Sequence, residues 1–189
     1  MIFLTMVISD QRHDVRDEVR FMLPVVIETL VVGTPPAPSV IVLRPINDKN
    51  EDHGGRLLPI WIGPTEAASI GMALQGASHK RPMTHDLFGS LLSQTDAKLD
   101  HIVIDHVEGT TFYSSLVLEQ NNVLKNIDAR PSDSIALALH ERVPMYVEEE
   151  VLDLASVPAS LMPTHSKDIE VKEFHDFIES VNPEDFKEA

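Results

Sequence analysis

The chain has 189 residues, 43% of them hydrophobic, which suits one globular domain with a core of its own. It contains no cysteine, so disulfides, thiolate nucleophiles and cysteine-ligated zinc are excluded. The formal net charge of −15 weighs against binding to nucleic acid, because attraction to phosphate is the main source of such affinity, although residues 141–189 alone hold 13 of the 30 acids and only 4 of the 15 bases.

The first half of the chain predicts three strands followed by two helices. Apolar runs bounded by proline and glycine indicate strands at Met22–Gly33, Ser39–Pro45 and Arg56–Ile62. The helices are predicted at Gly63–Gly76, where proline suits the first helical position, and at Thr84–Thr95. The second helix is expected to bury four residues on one face: Leu87, Phe88, Leu91 and Leu92. Trp61 is expected in the core.

The second half predicts a similar order of elements. Strands are expected at Leu99–Glu108, at Thr110–Gln120, within residues 121–128 and at Val143–Glu149, with a helix at about Pro131–Glu141. His101 and His106 lie five residues apart on a strand, so they are expected to face opposite ways as surface residues rather than as a metal pair. His140 falls in the last helical turn, where a partial positive charge is favourable.

A short motif that recurs at two helix starts suggests an internal duplication. Pro64-Thr65-Glu66 and Pro131-Ser132-Asp133 each open an apolar helix after a set of strands. The sequence therefore predicts an α+β fold, with a mixed β-sheet and helices, that a duplicated strands-then-helix unit would build. An amphipathic C-terminal helix is added at Asp168–Phe186. The predicted organisation is an N-terminal extension (1–21), a domain (22–158), and a linker with the acidic C-terminal helix (159–189).

Polar groups concentrate at three helix starts, in the stretches GPTE, MTHD and ARPSD. Capping of the backbone N–H groups explains hydroxyl and acidic residues there. It does not explain Arg130 beside Asp128, or His85 beside Asp86. Helix starts also favour anions, and arginine grips phosphate with two parallel hydrogen bonds.

If the three starts converge, their side chains would suit metal-assisted hydrolysis of a phosphodiester. Carboxylates would bind Mg²⁺, Mn²⁺ or Ca²⁺. We assign the expected roles by residue chemistry in three groups. The catalytic group is Glu66, His85, Asp86 and Asp133; the substrate-binding group is Arg81, Arg130 and Ser132; the metal ligands are Asp86, Asp128 and Asp133.

The stretches LPIWIGPTEAASIGMAL, RPMTHDLFGSLL, TFYSSLVL and IDARPSDSIALALHERVPMYVEEEVLD resemble the bifunctional nuclease domain family, in the same order and over about Leu23–Ala155. The resemblance implies an α+β domain with a mixed sheet of repeated units, often paired as a homodimer. Plant relatives of that family are described as nucleases acting on both DNA and RNA. This chain departs from the family pattern in GASHKRP, where His79 and Lys80 precede the Arg-Pro, and in LEQNNVLKNID, which lacks a turn glycine.

Two functions of different classes are compatible with these observations. The first is a cytoplasmic, metal-dependent nuclease (DNase, RNase or both), without a membrane span. The second is a non-catalytic binding or regulatory module that recognises a protein or a small anionic ligand through the same helix starts. The acidic balance favours the second function, whereas the acid-rich motifs and the resemblance favour the first. The positions of the acidic residues relative to Arg81 and Arg130 discriminate between them.

Overall fold

The computed structural model describes residues 21–33, 37–46, 48, 55–77 and 80–161. Within these ranges the chain forms one mixed sheet of eight strands with four α-helices, which confirms the α+β class. The elements are β1 (Met22–Val31), β2 (Ser39–Pro45), β3 (Arg56–Ile62), α1 (Pro64–Leu74), α2 (Thr84–Gln94), β4 (Ala97–Glu108), β5 (Thr111–Gln120), β6 (Val123–Ala129), α3 (Pro131–Glu141), β7 (Met145–Glu148), α4 (Glu149–Ala155) and β8 (Val157–Pro158), followed by one 3₁₀ turn (Ala159–Leu161). The predicted C-terminal helix and all but the last residue of the N-terminal extension lie outside the described residues.

The sheet has the strand order β6-β5-β4-β7-β1-β2-β3-β8. Its neighbouring strands are antiparallel except for β4 and β7, which run parallel. Two three-stranded meanders, β1-β2-β3 and β4-β5-β6, thus lie on either side of β7. Each meander is followed by a helix, α1 or α3, and these two helices pack against each other. This order fits the duplicated strands-then-helix unit.

The main core lies between the sheet and the helices. Buried side chains from all four helices join it, including Ile70, Leu92, Ile135 and Leu152. Alternate residues of each strand face this core, and we call that side of the sheet the helix face. Val40 and Val42 point to the other side, which we call the second face.

Two apolar predictions are wrong. Leu87 and Leu91 of α2 are 61% and 58% exposed, while Leu92 is buried and Phe88 packs against the core. The predicted stripe was too wide, because the buried side of α2 runs through Phe88, Gly89 and Leu92 and leaves Leu87 and Leu91 exposed. Trp61 is 39% exposed, since it lies on the second face of β3 whereas its neighbours Ile60 and Ile62 fill the core.

The two strand histidines share one face, contrary to the prediction. The pairing of β4 with β5 shifts register between Leu99 and His101 and again between Ile104 and His106. Each shift marks a β-bulge, in which one extra residue reverses the alternation of side chains between the two faces of the sheet. The second shift lies between the two histidines, so both face the same side. The His101 ring contacts Tyr146 edge-on at 5.3 Å and the His106 ring stacks on Tyr113 at 4.1 Å, measured between centroids. The strand neighbours of both tyrosines pack on the helix face, so both histidines lie on the second face.

Candidate active site

The starts of α1 and α3 meet at the guanidinium of Arg130, the residue that precedes α3. Its Nε and Nη2 donate hydrogen bonds to the two carboxylate oxygens of Asp133, at 2.8 and 3.1 Å. Its Nη1 donates to Oε1 of Glu66 at 3.1 Å. Glu66 and Asp133 occupy the same third position of their helices. Both helix starts therefore use an acid to hold one arginine.

These acids do not cap their own helices. The residues before α1 and α3 are Gly63 and Arg130, and neither helix start has a side-chain cap hydrogen bond. At α2 the situation differs, because Oδ2 of Asp86 accepts a hydrogen bond of 2.9 Å from the backbone N–H of Met83. Backbone capping thus accounts for the acid at the start of α2 and not for those at the starts of α1 and α3.

Arg130 combines a fixed position with an accessible head group. Hydrogen bonding and charge attraction from Asp133, with a smaller contribution from Glu66, raise the pKa of the guanidinium above its usual value. Its side chain is 66% exposed. A guanidinium has five N–H donors, of which three are used here. The two remaining N–H groups can bind the oxygens of a phosphate.

His85 of α2 joins the same cluster from a third element. Its Nδ1 lies 2.8 Å from Oγ of Ser69 on α1, and its Nε2 lies 3.7 Å from Oδ1 of Asp133. The side chain is only 17% exposed, so it is held between two helices. The start of α2 therefore joins the starts of α1 and α3, as the motifs suggested.

His140 is a member of the cluster that sequence reasoning missed. Its Nδ1 lies 3.1 Å from Oδ1 of Asp86, and its ring stacks on that of His85 with centroids 6.0 Å apart. His140 follows Asp133 by seven residues, about two helical turns, so the two side chains share one face of α3. That spacing was visible in the sequence, but the position near the helix end suggested a simpler explanation.

Three predicted site residues lie outside this cluster: Asp128, Arg81 and Ser132. Ser114 of β5 forms a hydrogen bond with Ser134 of α3, so Ser114 lies on the helix face and the next residue, Ser115, lies on the second face. Asp128 of β6 pairs with Ser115 and shares its face. Asp128 therefore points away from Arg130. Arg81 is exposed, and within the described part of the chain its side chain forms no hydrogen bond or ion pair.

The remaining predicted residue, Ser132, is buried at the start of α3, with 7% exposure. The structure thus places seven polar side chains in one connected group, which we call the helix-start cluster: Glu66, Ser69, His85, Asp86, Arg130, Asp133 and His140. The six charged or imidazole side chains of the cluster are 17–66% exposed, which leaves the cluster open to a ligand on at least one side.

The three predicted metal ligands do not converge. Asp128 lies on the second face of the sheet, Asp86 is directed at His140, and Asp133 is engaged by Arg130. Across the described ranges, no group of three or more histidine, aspartate or glutamate side chains is arranged to hold a metal ion. The carboxylates of the helix-start cluster therefore do not fit a metal site.

The mixed sheet and the helix-start cluster define an α+β domain whose site combines one arginine, two histidines and three carboxylates, and comparisons identify its family. The family model described as bifunctional nuclease domain matches residues 49–160. Two proteins from Mycobacterium tuberculosis, Uncharacterized protein MT1877 (strain CDC 1551 / Oshkosh) and Uncharacterized protein Rv1829 (strain ATCC 25618 / H37Rv), are each 40% identical over 172 residues, which is 85% of this chain and 98% of each relative. The chain belongs to the bifunctional nuclease domain family.

Every residue of the helix-start cluster lies inside the matched range. Among the described residues, no helix is long and apolar enough to cross a membrane.

Proposed function

We propose that this protein is a cytoplasmic nuclease that breaks phosphodiester bonds of DNA, RNA or both at the helix-start cluster. The observation that carries the proposal is the position of His85 and the exposed Arg130 on either side of Asp133, in a member of this family. Breaking a phosphodiester requires a cation for the phosphate charge and groups that move protons. The cluster supplies both within a few ångströms.

The residues divide naturally into holding and reacting groups. Glu66 and Asp133 fix the Arg130 guanidinium, whose two remaining N–H groups are available to a phosphate because the side chain is 66% exposed. His85 is the group best placed to exchange a proton with a ligand bound there. Arg81, which is exposed and forms no ion pair with the residues that the structure describes, is available to contact a neighbouring phosphate of the nucleic acid.

The competing proposal is a non-catalytic module that binds a protein or a small anionic ligand. The ion pairs of Arg130 favour it, because two carboxylates already balance the charge that a phosphate would meet. The net charge of −15 also opposes a long polyanion. A small anion would be less affected than nucleic acid by that charge.

A nuclease assay on the purified full chain separates these proposals. The substrates are single- and double-stranded DNA and RNA, each with EDTA, Mg²⁺, Mn²⁺ or Ca²⁺. We expect cleavage of at least one substrate, and an Arg130→Ala protein purified in parallel controls for contaminating enzymes. The metal additions test the predicted divalent cofactor directly. No cleavage of any substrate, with the protein folded, would favour the binding module.

We also propose a homodimer. The edge strand β6 exposes three apolar side chains, Val123, Leu124 and Ile127, at 54%, 50% and 43%. Edge strands that expose apolar groups are open to pairing with another chain. We expect light scattering after gel filtration to give twice the chain mass, and Ile127→Lys to give the single-chain mass. A native protein that stays monomeric at high concentration would contradict this.

A further inference from the structure

The sheet is buried on both of its faces near the middle, although the helices cover only one. All four helices of the described ranges bury side chains in the main core, on the helix face. In β2, every residue except Arg44 is nevertheless buried, so this strand is covered on both sides. A sheet buried on both faces packs against a layer of structure on each side.

Four buried valines extend this covered area across the second face, and we call them the second-face valines. Val40 and Val42 lie in β2, in the smaller apolar cluster. Val103 of β4 and Val117 of β5 lie on the same side of the sheet, because the residues before and after each of them fill the main core. These valines are 0–6% exposed. A sheet face in contact with water carries polar residues instead, so a further apolar segment belongs on this face.

The described part of the chain ends beside this area. Val157 of β8 pairs with Leu57 of β3, which belongs to the same small cluster as Val40 and Val42. Val157 and Ala159 both pack against that cluster. The residues that follow Leu161 therefore leave from the second face, at the β8 edge of the sheet.

The sequence beyond Leu161 contains the predicted C-terminal helix, Asp168–Phe186, which lies outside the described residues. Four of its apolar residues recur at helical spacing and form what we call the apolar stripe: Phe174, Phe177, Ile178 and Val181. A helix of these 19 residues would be about 28 Å long. The six strand spacings from β8 to β5 span about 29 Å, so one helix is long enough to cover the second-face valines.

We propose that the C-terminal segment Asp168–Phe186 docks on the second face of its own chain, with the apolar stripe against the second-face valines. The N-terminal extension is a weaker candidate, because residues 10–20, which adjoin β1, are highly charged and have no apolar face. Docking places residues 162–189, with 8 acids and 3 bases, on the side of the sheet opposite the helix-start cluster. The proposal does not depend on the nuclease function.

The first test compares two variants of the full-length protein that change its charge by the same amount. Phe177→Lys adds a cation within the apolar stripe. Glu179→Gln removes an anion two residues along, on the opposite side of the predicted helix. We expect Phe177→Lys to shift the NMR signals of the second-face valine methyl groups and to lower the urea midpoint of unfolding. The methyl signals of Ile70 and Ile135 in the main core should not move, and Glu179→Gln should match the native protein.

The second test measures proximity without altering the stripe. Because the sequence contains no cysteine, Ser180→Cys allows a nitroxide to be attached at a single site. We expect the nitroxide to broaden the methyl signals of Val103 and Val117 more strongly than those of Ile70 and Ile135, which lie on the other side of the sheet. A mixture of nitroxide-labelled protein with isotope-labelled protein that lacks the nitroxide reports contacts between different chains, and we expect no broadening there.

Three outcomes would overturn the inference. Unchanged valine methyl signals in Phe177→Lys would show that the segment does not contact the second face, and a lower urea midpoint in the same variant would then place it on another surface. Broadening in the mixed sample would show that a second copy of the chain supplies the covering segment. A shift of the valine methyl signals in Phe3→Asp, with none in Phe177→Lys, would assign the cover to the N-terminal extension.

Discussion

Replacing Arg56 by methionine should lower the free energy of unfolding by about 3–5 kcal/mol, the usual cost of removing one partner of a buried ion pair. The Arg56 side chain is 11% exposed and that of Asp48 is 4% exposed. Nε and Nη2 of Arg56 donate to the two oxygens of Asp48, both at 2.9 Å. The bond to Asp48 raises the pKa of Arg56. Methionine would leave the buried carboxylate without this cation.

Arg44→Met is the matched control for this experiment. Arg44 also donates to a carboxylate, that of Glu28 at 2.6 Å, but these two side chains are 49% and 45% exposed. Exposed pairs contribute about 0–1 kcal/mol. Urea unfolding of both variants measures the difference. The double variant Arg56→Met/Asp48→Leu should recover part of the stability, because it no longer buries a carboxylate from which the arginine has been removed. A similar small loss in Arg56→Met and Arg44→Met would show that burial does not matter here.

The contacts of Arg56 also show why helix α4 could not be predicted from the sequence. Besides Asp48, Arg56 contacts Glu149 and Asp153, two residues of α4 that lie 93 and 97 positions further along the chain. Helix α4 has seven residues, follows β7 directly and lacks a side-chain cap. The local sequence therefore predicts that the strand extends to Glu149, which in the structure is the first residue of the helix. Distant contacts, with Val151 and Leu152 in the core, stabilise the helix instead.

The helices and strands whose ends are marked by proline or glycine were predictable. The predicted bounds of β2, β3 and α3 match the structure, because proline or glycine stands at or beside both ends of the two strands and at the start of the helix. Sheet order was not predictable, since nothing local places β7 between β4 and β1. The facing of His101 and His106 failed for a related reason. Bulges arise from how β4 pairs with β5, which periodicity along one strand does not reveal.

The site was predictable in its chemistry and only partly in its geometry. The repeated acid after proline suggested a duplicated unit, and in the structure the acids at the starts of α1 and α3 both hold Arg130. Asp128 was grouped with Arg130 because the two are close in sequence. Strand alternation separates them in space: Ala129 packs against the core, so Asp128 points to the second face. Applying the period of two to the end of β6 would have shown this.

Asp133→Asn should cut nuclease activity by at least about tenfold while the protein stays folded, a change in activation free energy of about 1.4 kcal/mol. Asparagine fills the same space but carries no charge. It can accept only one of the two hydrogen bonds from Arg130, and it removes the negative charge that lies 3.7 Å from Nε2 of His85. Stability should change little, because Arg130 is 66% exposed and such pairs are weak. Cleavage rate and thermal midpoint, measured on the same preparation, check both statements.

Arg130→Lys tests the other half of the same contact. Lysine keeps the positive charge but cannot hold Asp133 and Glu66 with a planar fork and still offer N–H groups to a phosphate. We therefore expect the KM for substrate to rise more than kcat falls, with the thermal midpoint within a few degrees of the native value. If both variants lose stability and activity in parallel, the contact is a structural link between α1 and α3. If stably folded Asp133→Asn keeps full activity, Asp133 has no part in the reaction. Full activity in both variants would show that Arg130 only joins the starts of α1 and α3.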